Sequence, residues 1–193
     1  PEAPALNFIP RSGGLFRDFS IQDFDLAEWL SGTPMVEVFA FASCLIDPAI
    51  AALGDVDTAK IVLRGSGGTL CVISNSRRTG YGYDQRVEAF GAKGALRSVN
   101  LRQNAVQRWS EQGPSETAFP YGFADRYAEA YRLELDHFAD AIEDRLPPRA
   151  GFAESLRAIR LLVAEYWVSS SKARPLNIAV FGPPGAGKSF GID

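Results

Sequence analysis

The sequence predicts an α+β fold: a largely antiparallel, open sheet of five to seven strands with helices packed on one face. Three observations lead there. Between Val36 and Trp109 the apolar residues recur with the short period of strands, broken by glycine-rich turns. From Phe123 onward the period lengthens to that of a helix. The strands follow one another with short turns rather than alternating with helices, so neighbours should run antiparallel.

Each element has its own warrant. Residues 1–10 are rich in Pro and Ala without a period and read as an irregular lead-in. Phe19, Ile21, Phe24, Leu26, Ala27, Trp29 and Leu30 fit a short amphipathic helix, closed by Ser31-Gly32 and blocked by Pro34. Val36-Glu37-Val38-Phe39-Ala40-Phe41 is a strand run. Thr58–Leu63 pairs with Thr69–Ile73 across Gly65-Ser66-Gly67-Gly68. Arg86–Phe90 and Ala95–Val99 form a second hairpin around Gly91-Ala92-Lys93-Gly94, and Val106–Trp109 adds one more strand. Phe123, Tyr127, Ala130, Tyr131, Leu135, Phe138, Ala141 and Ile142 predict one long helix over Phe123–Glu143, ended by Pro147-Pro148. A further helix spans about Phe152–Val168, and these last two helices are expected to cover the sheet. No repeat or low-complexity tract is visible.

Composition removes several classes. The chain has 193 residues, of which 46% are hydrophobic and 22% charged, enough for one cored domain. Twenty basic against 23 acidic residues give a net charge of -3 without a basic stripe, so nucleic acid is not an expected partner. The longest apolar run, Val38–Ile46, is too short to span a membrane, and no secretory signal opens the chain. A cytoplasmic location is expected. Cys44 and Cys71 lack CxxC spacing and read as packing residues in a reducing compartment, with a disulfide between them the alternative. With His137 the single histidine, no zinc site can be assembled. His137 itself reads as a solvated or partly packed side chain on a helix whose acidic residues face water. Trp29, Trp109 and Trp167 read as packing residues or interface anchors. The sole methionine is Met35 and the chain starts Pro1-Glu2-Ala3, so a piece of a longer protein is expected.

The first stretch with chemical content is Ser12-Gly13-Gly14-Leu15-Phe16-Arg17-Asp18-Phe19-Ser20-Ile21-Gln22-Asp23-Phe24-Asp25. Its glycines permit a tight turn, and Asp18 and Gln22 stand four apart on one helix face. On the residues alone, Asp18 reads first as the helix N-cap.

This stretch, continued by Ala27, Trp29 and Leu30, resembles the start of the C-terminal domain in the Gfo/Idh/MocA oxidoreductases, close to the inositol 2-dehydrogenases. The likeness runs on through Val36-Glu37-Val38, Gly54-Asp55-Val56-Asp57-Thr58-Ala59, Asn75-Ser76-Arg77-Arg78, Tyr81-Gly82-Tyr83-Asp84-Gln85-Arg86-Val87-Glu88, Phe90-Gly91-Ala92-Lys93-Gly94 and Arg126-Tyr127-Ala128-Glu129-Ala130-Tyr131, covering about residues 11–176. The resemblance implies oxidation of a polyol or sugar hydroxyl by hydride transfer to NAD or NADP. In that family a lysine comes from a Rossmann domain, and an Asp and a His from the segment matched here. Asp18 falls on the aspartate, but Gln22 falls on the histidine, and an amide cannot exchange a proton near neutral pH. Tyr81 falls where relatives contact substrate, and Tyr83, two residues on, would share its face if both lay on a strand. Aromatic packing is the alternative for both. The resemblance also implies homo-oligomerisation through an open sheet face. No strand with Gly-x-Gly-x-x-Gly opens the chain, so no bound cofactor and no turnover are expected of this chain alone.

Residues 177–193 read as a separate tail. Gly182-Pro183-Pro184-Gly185-Ala186-Gly187-Lys188-Ser189 has the full phosphate-loop pattern: Gly182 and Gly187 free the backbone, Lys188 would neutralise phosphate and Ser189 would hold Mg²⁺. Only four residues follow Ser189, so this resembles the opening of a P-loop ATPase domain. Three functions therefore stand: the C-terminal substrate and oligomerisation domain of an oxidoreductase; a stand-alone, non-catalytic binding module in which Gln22 marks lost chemistry; and, behind these, an ATP-binding fragment.

Overall fold

The computed structural model describes residues 3–149 and 151–168, with side chains to residue 164. In order they form helix α1 (Ile9–Ser12), a π-helical turn (Phe16–Ser20), helix α2 (Ile21–Ser31), strand β1 (Met35–Ser43), helix α3 (Pro48–Ala52), and strands β2 (Thr58–Gly65) and β3 (Leu70–Ser76). Then come β4 (Val87–Gly91), β5 (Gly94–Ser98), β6 (Gln107–Ser110) and β7 (Gly113–Glu116), followed by helices α4 (Phe123–Arg126), α5 (Ala128–Ile142) and α6 (Phe152–Val168). The chain divides into two compact units. One holds Pro4–Ser76 and α6, the other Arg77–Arg149.

In the first unit β1, β2 and β3 make an antiparallel sheet in that order. Alternation along β2 turns Ala59, Ile61 and Leu63 inward, where they join Leu15, Phe24, Ala27, Met35, Leu161 and Leu162 in the core. The covering helices are therefore α2 and α6; the long helix expected to help, α5, lies in the other unit and buries none of its residues. Glu28 ties the layers together. Its carboxylate accepts the Met35 N–H at 2.9 Å and the Arg157 Nε–H at 3.0 Å, joining α2, β1 and α6. α2 ends where Gly32 turns left-handed at φ 66°.

Among the described residues nothing covers the other face of this sheet, whose centre is apolar. Phe39, Val62 and Val72 lie in one cross-strand row, with Phe41 beside Phe39 at a ring-centroid separation of 4.9 Å. Phe41 is 71% exposed and Val72 74%.

Asp57 organises the turn after β1. Its buried carboxylate accepts the N–H groups of Leu45 (2.8 Å), Ile46 (2.8 Å) and Asp47 (3.1 Å), the Thr58 hydroxyl (2.9 Å) and the Cys44 thiol (3.1 Å). Asp47 caps α3 through the Ala49 N–H, 2.9 Å away, with Pro48 in the first turn. This short helix carries no periodicity and was not expected from the sequence. Both cysteines are free thiols, which removes the disulfide alternative.

The second unit consists of the hairpins β4–β5 and β6–β7 and helices α4 and α5. The seven strands are all antiparallel, as expected, but among the described residues they are hydrogen-bonded as three sheets rather than one. The single helix expected over Phe123–Glu143 is broken at Tyr127, whose φ of -112° and ψ of 14° end α4 before α5 begins. Arg132, paired with Glu129 and Asp136, lies on the solvated acidic side of α5, and Arg145, just past the helix end, pairs back to Asp140. His137 is partly packed and accepts the Arg149 N–H at 3.1 Å. Trp29 and Trp109 are 75% and 72% exposed, so neither packs in a core; the side chain of Trp167 lies outside the described residues. No described helix is long and apolar enough to cross a membrane.

Candidate functional site

The segment that carries Asp18 is wider than an ordinary helix. Gly13 and Gly14, at φ 84° and 97°, turn the chain after α1. The chain is already helical at Leu15, and the Ile21 N–H reaches back to the Phe16 carbonyl, five residues earlier, which defines the π turn. Such turns concentrate at functional sites because the inserted residue re-aims side chains. Asp18 sits inside it, half-buried, its own N–H bonded to the Gly14 carbonyl at 3.0 Å. It is therefore not an N-cap: a cap needs non-helical backbone, and the chain here is helical on both sides. Gln22 follows on α2 with its side chain exposed.

Beneath this helix face lies a network that sequence reasoning missed. The hydroxyl of Ser20, fully buried, donates to Asn75 Oδ1 of β3 at 2.7 Å, and Asn75 Nδ2 donates to Asp23 Oδ2 at 2.8 Å. Burial pushes the Asp23 carboxyl up from its ordinary value, and the Asn75 bond partly offsets that rise. Ser20 and Asn75 each stand in a stretch that carries the family resemblance, but a contact across 55 positions leaves no local signal.

Tyr81 and Tyr83 belong to the second unit and lie in the loop before β4, not on a strand. Strand alternation therefore does not put the two side chains on one face. Gly82 between them is at φ 118°, and a Cβ there would stand 2.8 Å from Phe119 Cβ and 3.1 Å from the Pro120 carbonyl oxygen. The Tyr81 hydroxyl donates to Asp84, and its ring meets Phe119 edge to face at 6.1 Å; Tyr83 meets Tyr127 the same way at 5.6 Å. Asp84 also accepts Asn100 Nδ2 at 2.6 Å and a bidentate bond from Arg86 at 2.8 and 2.9 Å. Burial alone would raise the Asp84 carboxyl, but its bonds to Tyr81, Asn100 and Arg86 outweigh it and hold the group below its ordinary value. The Tyr81 phenol is pushed up, first by its bond to Asp84. A shallow cavity of about 300 Å³ opens here, lined by Tyr81, Asp84, Asn100 and Phe119 among others.

No three His, Cys, Asp or Glu among the described residues come together as a metal site. The glycine-rich stretch Gly65–Gly68 is a hairpin turn rather than a strand-to-helix phosphate loop. Gly65-Ser66-Gly67-Gly68 closes the β2–β3 hairpin, and its N–H groups are committed to backbone: Gly65 to Thr69 (2.8 Å), Ser66 to Pro34 (2.9 Å) and Gly68 to Gly65 (2.9 Å). Three of its four N–H groups are thus taken up in closing the turn. Gly182, Gly187, Lys188 and Ser189 lie outside the described residues.

Comparison with known proteins places this chain among relatives of one kind. Residues 3–97 match the family described as the GFO/IDH/MocA C-terminal domain. The chain is 43% identical to the myo-inositol 2-dehydrogenase of Thermotoga maritima over 161 residues, 83% of this chain and 48% of that protein. It is 44% identical to the inositol 2-dehydrogenase of Rhizobium meliloti over 143 residues, 74% of this chain and 43% of that one. The crystal structure of a probable dehydrogenase from Thermotoga maritima superposes with a TM-score of 0.83 at 42% identity, over 87% of this chain and 50% of that chain. A scyllo-inositol dehydrogenase from Lactobacillus casei, solved with bound NAD(H) and scyllo-inositol, superposes at 0.77 with 25% identity, over 84% and 48%. The chain spans about half the length of the curated relatives it matches.

Proposed function

The chain belongs to the GFO/IDH/MocA family as a C-terminal domain, and from that premise we propose that it is the substrate-binding and assembly half of an NAD(P)-dependent oxidoreductase. The substrate is a polyol or sugar hydroxyl, of the kind handled by the inositol 2-dehydrogenases it resembles. The observation that carries this reading is the π turn and α2, which project Asp18 and Gln22 one helical turn apart, within the matched segment. Asp18 accepts a hydrogen bond from the substrate hydroxyl and orients it. Gln22 donates and accepts hydrogen bonds but neither takes up nor gives up a proton as a base near neutral pH, so the base step is weak. Within its own unit, the loop of Tyr81 and Tyr83 offers a hydroxyl and ring edges for contact with a sugar.

The dinucleotide is held outside this chain. When bound it supplies the hydride acceptor. The 193-residue chain mixed with NAD and inositol or glucose therefore gives no NADH absorbance, and growth of that absorbance would overturn this part of the reading. The open face of β1–β2–β3 supports assembly between copies, because an apolar face this large is normally covered. Phe41→Glu with Val72→Lys lowers the association state in sedimentation at unchanged helix content; an unaltered state in a self-associating chain would refute that use of the face.

One observation favours a second reading: Gln22 stands where the resemblance implies a histidine. If the domain is a non-catalytic polyol-binding module, it binds inositol by calorimetry, and joining a dinucleotide-binding half yields no turnover even after Gln22→His.

A further inference from the structure

The buried link between α2 and β3 assigns a task to residues outside the proposed reacting set. Asn75 pairs with Ala59 in the sheet ladder, and its amide lies between the two halves of the helical segment: Ser20, the last residue of the π turn, and Asp23, in the first turn of α2. The bonds have one consistent polarity. An ionised Asp23 only accepts, so it takes the Asn75 NH₂ group, and this leaves Asn75 Oδ1 for the Ser20 hydroxyl. Each donor thus has one acceptor. A π turn is a poor helix by itself, because its bonds are widely spaced and its register can slip back to the α form. Asp18 lies two residues before Ser20 and Gln22 one residue before Asp23, so a slip at either anchor re-aims both side chains.

We propose that Asn75 is a positioning residue, which through Ser20 and Asp23 pins the π turn to β3 and so fixes the direction of Asp18 and Gln22. The functional weight of this inference rests on the proposed role of Asp18 and Gln22; the pinning itself does not.

The test is amide hydrogen exchange in the 193-residue chain, read by NMR residue by residue. Asn75→Ala speeds exchange of the Asp18 and Ile21 amides about a hundredfold, the scale for loss of one neutral and one charge-assisted bond, while the Ile61 and Leu63 amides stay as they are. Ser20→Ala gives a smaller effect at the same amides, and is the variant to read if Asn75→Ala fails to fold. Asp23→Asn keeps an acceptor oxygen and restores near-native exchange, whereas Asp23→Leu does not. Equal acceleration in the turn and in β2 would mean general loosening, and would overturn the proposal, as would no change in the turn. Failure of the catalytic reading shows separately, as unchanged turnover when Gln22→His is introduced into the chain joined to a dinucleotide-binding half.

Discussion

Removing the Asp57 carboxylate is expected to be the costliest single polar change in the first unit. Oδ1 accepts from Leu45 N and the Thr58 hydroxyl, and Oδ2 from Ile46 N, Asp47 N and the Cys44 thiol. Asp57→Ala strands three backbone donors at a turn that water reaches only partly. At about 1 kcal/mol for each, near the low end for an unsatisfied group, the loss is about 3 kcal/mol. Asp57→Asn gives little relief. One oxygen can still serve Leu45 and Thr58, but the new NH₂ group faces the N–H groups of Ile46 and Asp47, so about 2 kcal/mol is still lost. The pH dependence gives an independent handle. Burial alone would raise this carboxyl, but bonds from Leu45, Ile46, Cys44 and Asp47 outweigh it and bring it to about 2, against 3.8 for the free group. A depressed folded value contributes stability fully above pH 3.8 and loses it as pH falls toward about 2. The assay is urea unfolding of the native chain and both variants at neutral and acidic pH, requiring an unchanged denaturant slope. The variants should show a flatter pH profile than the native chain below pH 4. A loss under about 1 kcal/mol for Asp57→Ala, or a native-like acid profile, would refute the reasoning.

Other expectations follow from the same geometry. Glu28→Ala leaves the Met35 N–H without its acceptor and should cost about 2 kcal/mol in urea unfolding, whereas Glu28→Gln keeps that acceptor and should cost about half as much. Gly82→Ala places a methyl group 2.8 Å from Phe119 Cβ at a φ of 118°, and should destabilise by about 2 kcal/mol, with NMR shifts concentrated around Tyr81, Tyr83 and Phe119. The Cys44 thiol, pushed up by burial and then by Asp57, should alkylate slowly in the native chain and faster in Asp57→Ala.

The elements legible in the sequence are those with strong local signals. β2 shows its inward residues Ala59, Ile61 and Leu63 by simple alternation, and Gly65–Gly68 announces the hairpin. α3 carried a readable Asp47-Pro48 start but is too short to show a period. β7, Gly113-Pro114-Ser115-Glu116, has no strand-forming composition and exists because it pairs with β6, Trp109 opposite Pro114. The break at Tyr127 was invisible because the apolar pattern runs straight through it, while its ring is held by Tyr83, far back in the chain. At the candidate site the resemblance supplied Asp18 and Gln22, but neither the π turn nor the Ser20–Asn75–Asp23 network has a sequence period, since both depend on contacts across the fold.

The central claim, that Asp18 and Gln22 stand at the reacting hydroxyl of an oxidoreductase half, is tested most directly by the turnover of Gln22→His. The chain is joined to a dinucleotide-binding half from an inositol dehydrogenase, and NADH formation from inositol is compared with that of the Gln22 form. The account predicts a rise of about 10²- to 10⁴-fold, the contribution of a positioned general base. An unchanged rate in a folded, inositol-binding protein would contradict it.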